Sequence, residues 1–252
     1  MLRPSLAPGM ATMLAHNLHR DVATVRLFEM GTVFTGSTAE VREATGLAIG
    51  ATGGAAVSAL HGGDDALIFE MKGALESLLG RFAAPVSFDT NALPSWIAAG
   101  RGGRALLDGQ PVAAFGALSA EEQQRRKLRQ SCAIAEVTAQ ALLTHSLRQP
   151  VVRDLSRYQA VERDFSFVFP DSVRWEAIAV RIEGLRIPEL RSVRPVEIFR
   201  DAKGTAVPAG SYSLLLRVVF QSRERTLTED EIAGGSEKIV AALKALGGTQ
   251  RA

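Results

Sequence analysis

The sequence predicts an α+β chain in two parts, an antiparallel sheet with flanking helices over residues 1–150 and a βαββαβ arrangement over 151–252. Three observations predict it. Apolar alternation of period two recurs in short runs, apolar stripes of helical spacing stand between those runs, and glycine- or proline-rich turns separate the two kinds. In the first part the strand signals outnumber the crossovers a parallel sheet would need, which favours antiparallel pairing.

In the first part, 8–19 reads as a helix, 25–28 and 32–34 as strands and 46–51 as another strand. The glycine-rich stretch 52–65, with Gly53-Gly54, Gly62-Gly63 and Asp64-Asp65, reads as an exposed loop. Ile68, Met71, Leu75, Leu78, Leu79 and Phe82 then mark an amphipathic helix. Residues 104–107, Asp108-Gly109 and 111–118 read as a hairpin, because Asp-Gly supplies the positive φ a tight turn needs. A charged helix over 121–129 and a strand over 131–137 complete this half.

In the second part Phe165, Phe167 and Phe169 alternate with Ser166 and Val168 until Pro170-Asp171 stops the strand. Ser172 is placed to cap a helix whose stripe is Trp175, Ile178, Ala179, Ile182 and Leu185. Val196 and Ile198, with Ala202 at the margin, belong to a second strand. Tyr212, Leu214, Leu216, Val218 and Phe220 alternate along a third and should face the helices, leaving Ser213, Leu215, Arg217 and Val219 on the open side. Thr228 and Glu231 form a capping box for a last helix, which Gly247-Gly248 ends before a short edge strand at 249–251. This split βαβ plan puts both helices on one face of the sheet and leaves the other free to receive a partner.

Composition narrows the class of function. At 252 residues and 46% hydrophobic content, the chain has length for two ordinary domains, each with its own core. The single cysteine, Cys132, excludes an internal disulfide framework, and its apolar flanks read as a buried strand. No run approaches the ~20 apolar residues of a membrane span, and the start lacks the apolar core of a signal peptide, so a cytoplasmic location is expected. From Arg153 onward there are 16 Lys plus Arg against 14 Asp plus Glu, leaving 13 of each before it, so the formal charge of +2 sits in the second part. That is a small excess for a nucleic-acid binder.

No catalytic or metal constellation is legible. Gly100-Arg101-Gly102-Gly103-Arg104 has the composition of a phosphate loop, yet no helix and no Gly-Lys-Ser/Thr follows, and a flexible approach to the hairpin is the plainer reading. His16 and His19 share a helix face without a Cys or carboxylate to complete a metal set. His61 and His145 are isolated, and Cys132 has no neighbouring His to activate it.

Two sets of motifs carry a resemblance to a family. Tyr158-Gln159-Ala160-Val161-Glu162-Arg163-Asp164-Phe165-Ser166-Phe167, the turn Pro208-Ala209-Gly210-Ser211-Tyr212 and Arg225-Thr226-Leu227-Thr228 resemble the ferredoxin-fold anticodon-binding domain that ends the beta subunit of bacterial phenylalanyl-tRNA synthetases. Leu2-Arg3-Pro4-Ser5-Leu6-Ala7-Pro8-Gly9-Met10, Asn17-Leu18 and 25–34 resemble the core module of the same subunit, a non-catalytic relative of the class II synthetase fold. Departures are local. Ser95-Trp96-Ile97 stands near the family's His in the region before Gly100, and Leu118-Ser119-Ala120 replaces a Leu-His-Pro.

The resemblance implies a part of the beta subunit of a phenylalanine–tRNA ligase that supports a catalytic alpha subunit in an alpha2-beta2 assembly and docks tRNA(Phe) at its anticodon side. No complete active site is expected in this chain, and the ATP and Mg²⁺ of aminoacylation are expected elsewhere in the assembly. Guanidinium groups bind phosphate oxygens bidentately, so Arg153, Arg157, Arg200, Lys203, Arg217, Arg223 and Arg225 are the candidate RNA contacts. Arg163 and Arg225 also have the alternative of pairing with Asp164, Glu224 or Asp230. In the second strand Arg200 stands at the family's acidic position and Ala202 at its aromatic one, so phosphate contact survives while base stacking loses a platform. The other reading is a non-catalytic scaffold or protein-interaction module whose RNA-binding face has decayed.

Overall fold

The structure, a computed structural model, describes residues 2–37, 40–54, 60, 63–152, 154–201 and 203–251. The chain forms two compact units that divide between Val151 and Val152, apart from Leu60, which groups with the second.

The first unit is a six-stranded antiparallel sheet in the order β1-β2-β6-β5-β4-β3. Its strands are β1 Val25–Ser37, β2 Glu40–Thr52, β3 Val86–Asp89, β4 Ile97–Leu107, β5 Gln110–Leu118 and β6 Cys132–Thr138. Its helices are α1 Ala7–Leu18, α2 Ala66–Leu79 and two short ones, α3 Ala120–Arg125 and α4 Ala139–Leu142. Helix α2 covers one face of the sheet through Met71, Leu75 and Leu79 against Phe115, Ala133, Ala135 and Val137. Helix α1, with its N-cap Leu6, covers the other through Leu6, Met10 and Leu14 against Ala48, Cys132 and Ile134. Strand β6 lies between two covered faces, which is why it reads as an almost continuous run of small apolar residues. Gly50 permits the α1 contact, since a Cβ there would stand 2.6 Å from Met10.

Several local expectations change. Residues 25–28 and 32–34 belong to one strand, because β2 starts at Glu40 and pairs with β1 through Gly31 opposite Gly46. The hairpin is as expected, with Asp108 at φ 52° and Gly109 at φ 73°. Gly100 to Arg104 lie inside β4, so this stretch is a strand and not a flexible approach. The 121–129 helix ends at Arg125, and β3 escaped the period-two reading because only four residues pair. Within the expected 52–65 loop, residues 55–59, 61 and 62 lie outside the described set, and Gly63–Asp65 form a 3-10 turn.

The second unit has four antiparallel strands in the order β10-β7-β9-β8. In chain order the elements are β7 Val161–Pro170, α5 Trp175–Glu183, β8 Leu190–Phe199, β9 Ser211–Phe220, α6 Glu229–Ala245 and β10 Thr249–Gln250. This is the βαββαβ ferredoxin-like plan. Phe165, Phe167 and Phe169 of β7 and Tyr212, Leu214, Leu216, Val218 and Phe220 of β9 pack on Ile178, Ile182, Ile232, Ile239 and Leu243 of the helices. The Thr228–Glu231 capping box is formed. At the other end of α6, Gly248 and Gly247 donate backbone N–H groups to the carbonyls of Leu243 and Lys244. Ser172 is not the cap of α5: Arg174 occupies that position without a side-chain bond.

Candidate nucleic-acid interface

In the first unit the polar groups that face one another are consumed by the fold. Across the α1 side of the sheet, register aligns Asp89 with Arg104, Arg104 with Ala114, Ala114 with Glu136 and Glu136 with Ala48. Arg104 forms a two-pronged pair with Asp89 at 2.9 and 2.8 Å, which holds the Asp89 carboxyl down to about 2. Glu136 accepts the buried backbone N–H of Leu6 at 2.6 Å and the Ser5 hydroxyl at 2.7 Å. It therefore anchors the start of α1. Arg101 pairs with Asp65 at 3.0 Å. Ser119, where the family's His is replaced, accepts the Glu122 N–H and caps α3. Cys132 is buried, and burial pushes its thiol pKa up. His16 on α1 and His19 at its C-cap are exposed. Among the described residues no cluster of three metal-ligating side chains occurs, and no buried side-chain polar atom lacks a partner.

The second unit leaves one sheet face uncovered, and register assigns its occupants. Glu162, Asp164, Ser166 and Val168 of β7 stand opposite Val219, Arg217, Leu215 and Ser213 of β9. Those in turn face Ser192, Arg194, Glu197 and Phe199 of β8. Arg217 is clamped between two acids, with Nε 2.7 Å from Asp164 and Nη1 2.7 Å from Glu162. The pairing lowers the Asp164 pKa and raises that of Arg217. Arg200 forms an ion pair with Asp171 and lies 5.2 Å from the centre of the Tyr212 ring, whose hydroxyl donates to the Val173 carbonyl at 2.6 Å. Arg225 holds Glu231 in a forked pair, which with the Thr228 N–H brings the Glu231 carboxyl down to about 2. Arg163 points to the helix side and bonds Glu229 at 2.9 Å, and Arg225 takes Glu231, so neither pairs there with Asp164, Glu224 or Asp230.

Three of the expected contacts are therefore already paired within the fold. Arg153 and Ala202 lie outside the described residues. Arg157, Lys203 and Arg223 are exposed and, among the described residues, carry no ion pair. Lys203 projects from a turn ordered by Asp201, which accepts the N–H groups of Lys203 and Ala206 and the Thr205 hydroxyl at 2.7–2.9 Å. These bonds hold the Asp201 carboxyl well below the usual range.

One residue was overlooked in the sequence. Phe199 is 44% exposed on the open face, opposite Ser213, whose hydroxyl also receives Arg251 at 3.3 Å. An aromatic ring and a guanidinium thus flank one serine, a pairing suited to stacking a base and holding its phosphate. The signal was there in the parity of β8, since Phe199 lies two residues beyond the exposed Glu197.

Comparison with known proteins agrees with this geometry. Residues 1–139 match the family model described as the phenylalanyl tRNA synthetase beta chain CLM domain, and 156–251 match the ferredoxin-fold anticodon binding domain. The phenylalanine–tRNA ligase beta subunit of Xylella fastidiosa strain Temecula1 is 30% identical over 250 residues, covering 97% of this chain and 31% of that protein. Those of Cereibacter sphaeroides and Thiobacillus denitrificans are 32% and 31% identical, covering 99% and 100% of this chain. The chain spans about a third of the length of these relatives, 32% and 31% for the last two. A solved pyrrolysyl tRNA synthetase from Desulfitobacterium hafniense matches at 15% identity over 56% of this chain and 49% of that one, at a TM-score of 0.41, too loose to argue from. With its first unit matched to the CLM domain, its second to the anticodon-binding fold and 30% or greater identity along nearly its whole length, the chain belongs to the phenylalanyl-tRNA synthetase beta chain family.

Proposed function

We propose that this chain is the part of a phenylalanine–tRNA ligase beta subunit that docks tRNA(Phe) at its anticodon side and supports the catalytic alpha subunit in an alpha2-beta2 assembly. The observation that carries the reading is the uncovered sheet face of a domain of the anticodon-binding fold, with Phe199 exposed on it beside Arg251. Base stacking falls to Phe199 in place of the aromatic absent at 202. Phosphate contact falls to Arg157, Lys203, Arg223 and Arg251, while Arg200, Arg217 and Arg225 brace the fold.

Aminoacylation needs ATP and Mg²⁺, and the residues of this chain do not fit them. Glu136 spends its carboxylate on Ser5 and Leu6, and Arg104 spends its guanidinium on Asp89. We place both elsewhere in the assembly. For the alpha subunit we assign the outer edge of β1, where Phe28 and Met30 are 76% and 63% exposed beside a strand edge that, among the described residues, pairs with no other strand. No helix among the described residues is long and apolar enough to cross a membrane, and we place the assembly in the cytoplasm.

The other reading, a scaffold whose RNA face has decayed, draws on the pairing of Arg200, Arg217 and Arg225 with acids of the same unit. Binding of this chain to tRNA(Phe) and to an unrelated tRNA across a salt series separates the two. Docking predicts selective, salt-sensitive binding that Phe199→Ala weakens roughly five- to hundredfold, the loss of one stacked base. Equal or absent binding of the two tRNAs sinks it in favour of the scaffold.

A further inference from the structure

We infer a second RNA contact at the opposite end of the same sheet: a notch between the segment before β7 and the turn after β9, in which Arg157 and Arg223 hold a backbone phosphate and Tyr158 meets the adjoining base or ribose. The inference rests on the proposed tRNA docking and adds a place to it. Seven residues of β7 separate the row of Val168 from Val161, so the notch lies on the order of 20 Å from Phe199, at about 3.3 Å per residue. The two are separate contacts.

The notch is a built feature. It is a cavity of about 780 Å³ whose walls include Asp154, Arg157, Tyr158 and Arg223. Two hydrogen bonds fix the segment to the turn and a third closes the segment on itself. The Ser156 hydroxyl donates to the Ser222 carbonyl at 2.7 Å, the Tyr158 N–H donates back to the Ser156 oxygen at 3.1 Å, and the Gln221 amide donates to the Tyr158 carbonyl at 2.8 Å. Arg157 and Tyr158 are therefore held on a bonded segment facing Arg223, which reduces the ordering cost of binding.

Charge and chemistry select the ligand. The nearby motif arginines, Arg163 and Arg225, are committed to Glu229 and Glu231, whereas Arg157 and Arg223 are exposed without an ion pair among the described residues. Two unpaired guanidinium groups against one wall acid, Asp154, leave a net charge of +1, suited to a singly charged phosphodiester. Tyr158 is 36% exposed and offers a ring next to them. Phosphate and stacking groups together at a fixed notch are what a single nucleotide unit of RNA requires.

The test is the salt dependence of tRNA(Phe) binding by the wild-type chain and by Arg157→Ala, Arg223→Ala, Tyr158→Ala, Arg157→Lys and Lys238→Ala, with thermal unfolding to confirm each variant is folded. Each Arg→Ala change should reduce the slope of log K against log salt by about one. Tyr158→Ala should weaken binding roughly five- to hundredfold with the slope kept. Arg157→Lys keeps the charge and the slope, and Lys238→Ala, on the exposed side of α6, leaves binding unchanged. Wild-type binding with an unchanged slope in both arginine variants overturns the notch and spares the docking reading. A slope lowered equally by Lys238→Ala shows diffuse attraction and also overturns it. Absence of wild-type binding overturns both.

Discussion

The two sheets differ in what their second face meets. In the first unit α1 and α2 cover both faces, and the polar side chains between them serve the fold: Glu136 fastens α1, and Arg104 locks to Asp89. In the second unit both helices lie on one face, and the other carries half-buried side chains, an exposed phenylalanine and Arg217 held between two acids. The difference teaches where recognition can reside. In the doubly covered sheet Glu136 and Arg104 are spent on the fold, whereas a singly covered one keeps a presenting face at no cost to its core.

The largest effect should come from crossing between faces within one strand. Leu216 and Leu215 are neighbours on β9, the first fully buried and the second on the open side. Leu216→Ala should cost about 2–5 kcal/mol in urea unfolding of the second unit. Leu215→Ala should cost about 1 kcal/mol or less. Equal costs would mean the open face is covered after all.

Next is Glu136→Ala in the first unit, which strands the buried Leu6 N–H and should cost about 1–3 kcal/mol. Restored stability on adding a nucleotide would contradict a structural role for this carboxylate. On the open face the balance reverses: Phe199→Ala should leave unfolding within about 1 kcal/mol of wild type, since the ring is 44% exposed. The same change should lower tRNA affinity by about 1–3 kcal/mol.

A smaller effect concerns pH. The Glu231 carboxyl titrates near 2 in the folded chain against an ordinary 4.5, held down by Arg225 and the Thr228 N–H. A depressed folded pKa stabilises above the unfolded value and loses that contribution as pH falls. The stability gap between wild type and Glu231→Gln should therefore close between about 4.5 and about 2. A gap that persists to the lower end would place the role of Glu231 in geometry alone. The smallest effect is expected at Arg217→Ala, whose guanidinium is engaged by Glu162 and Asp164. It should leave the salt slope of tRNA binding unchanged, and a slope reduced by one would return Arg217 to the RNA-contacting set.

Much of this was legible in the residues. Period-two alternation located β7 and β9 and assigned their inner faces, because a strand half-covered by helices has to segregate apolar side chains by parity. The Asp108-Gly109 turn and the Thr228–Glu231 box were readable because they close within four residues. Strand β3 and the outer half of the β1–β2 hairpin were not. The former pairs over only four residues, and the latter extends beyond β6 as a two-stranded ribbon whose side chains are mostly exposed, with Val33 packed on the core.

The sequence by itself determined the two cores, the order of their longer elements and the family. Those properties follow from short-range periodicity and local turn chemistry, which backbone sterics and burial impose on any chain. Only the tertiary structure decided which cations are available. Arg217 meets Asp164 across 53 positions, Arg163 meets Glu229 across 66 and Arg200 meets Asp171 across 29. Strand register and helix docking bring those groups together, and no local spacing records such a meeting. The availability of an arginine is therefore a property of its three-dimensional neighbours, and among the described candidates Arg200, Arg217 and Arg225 separate as paired from Arg157, Lys203 and Arg223 only once the sheet is assembled.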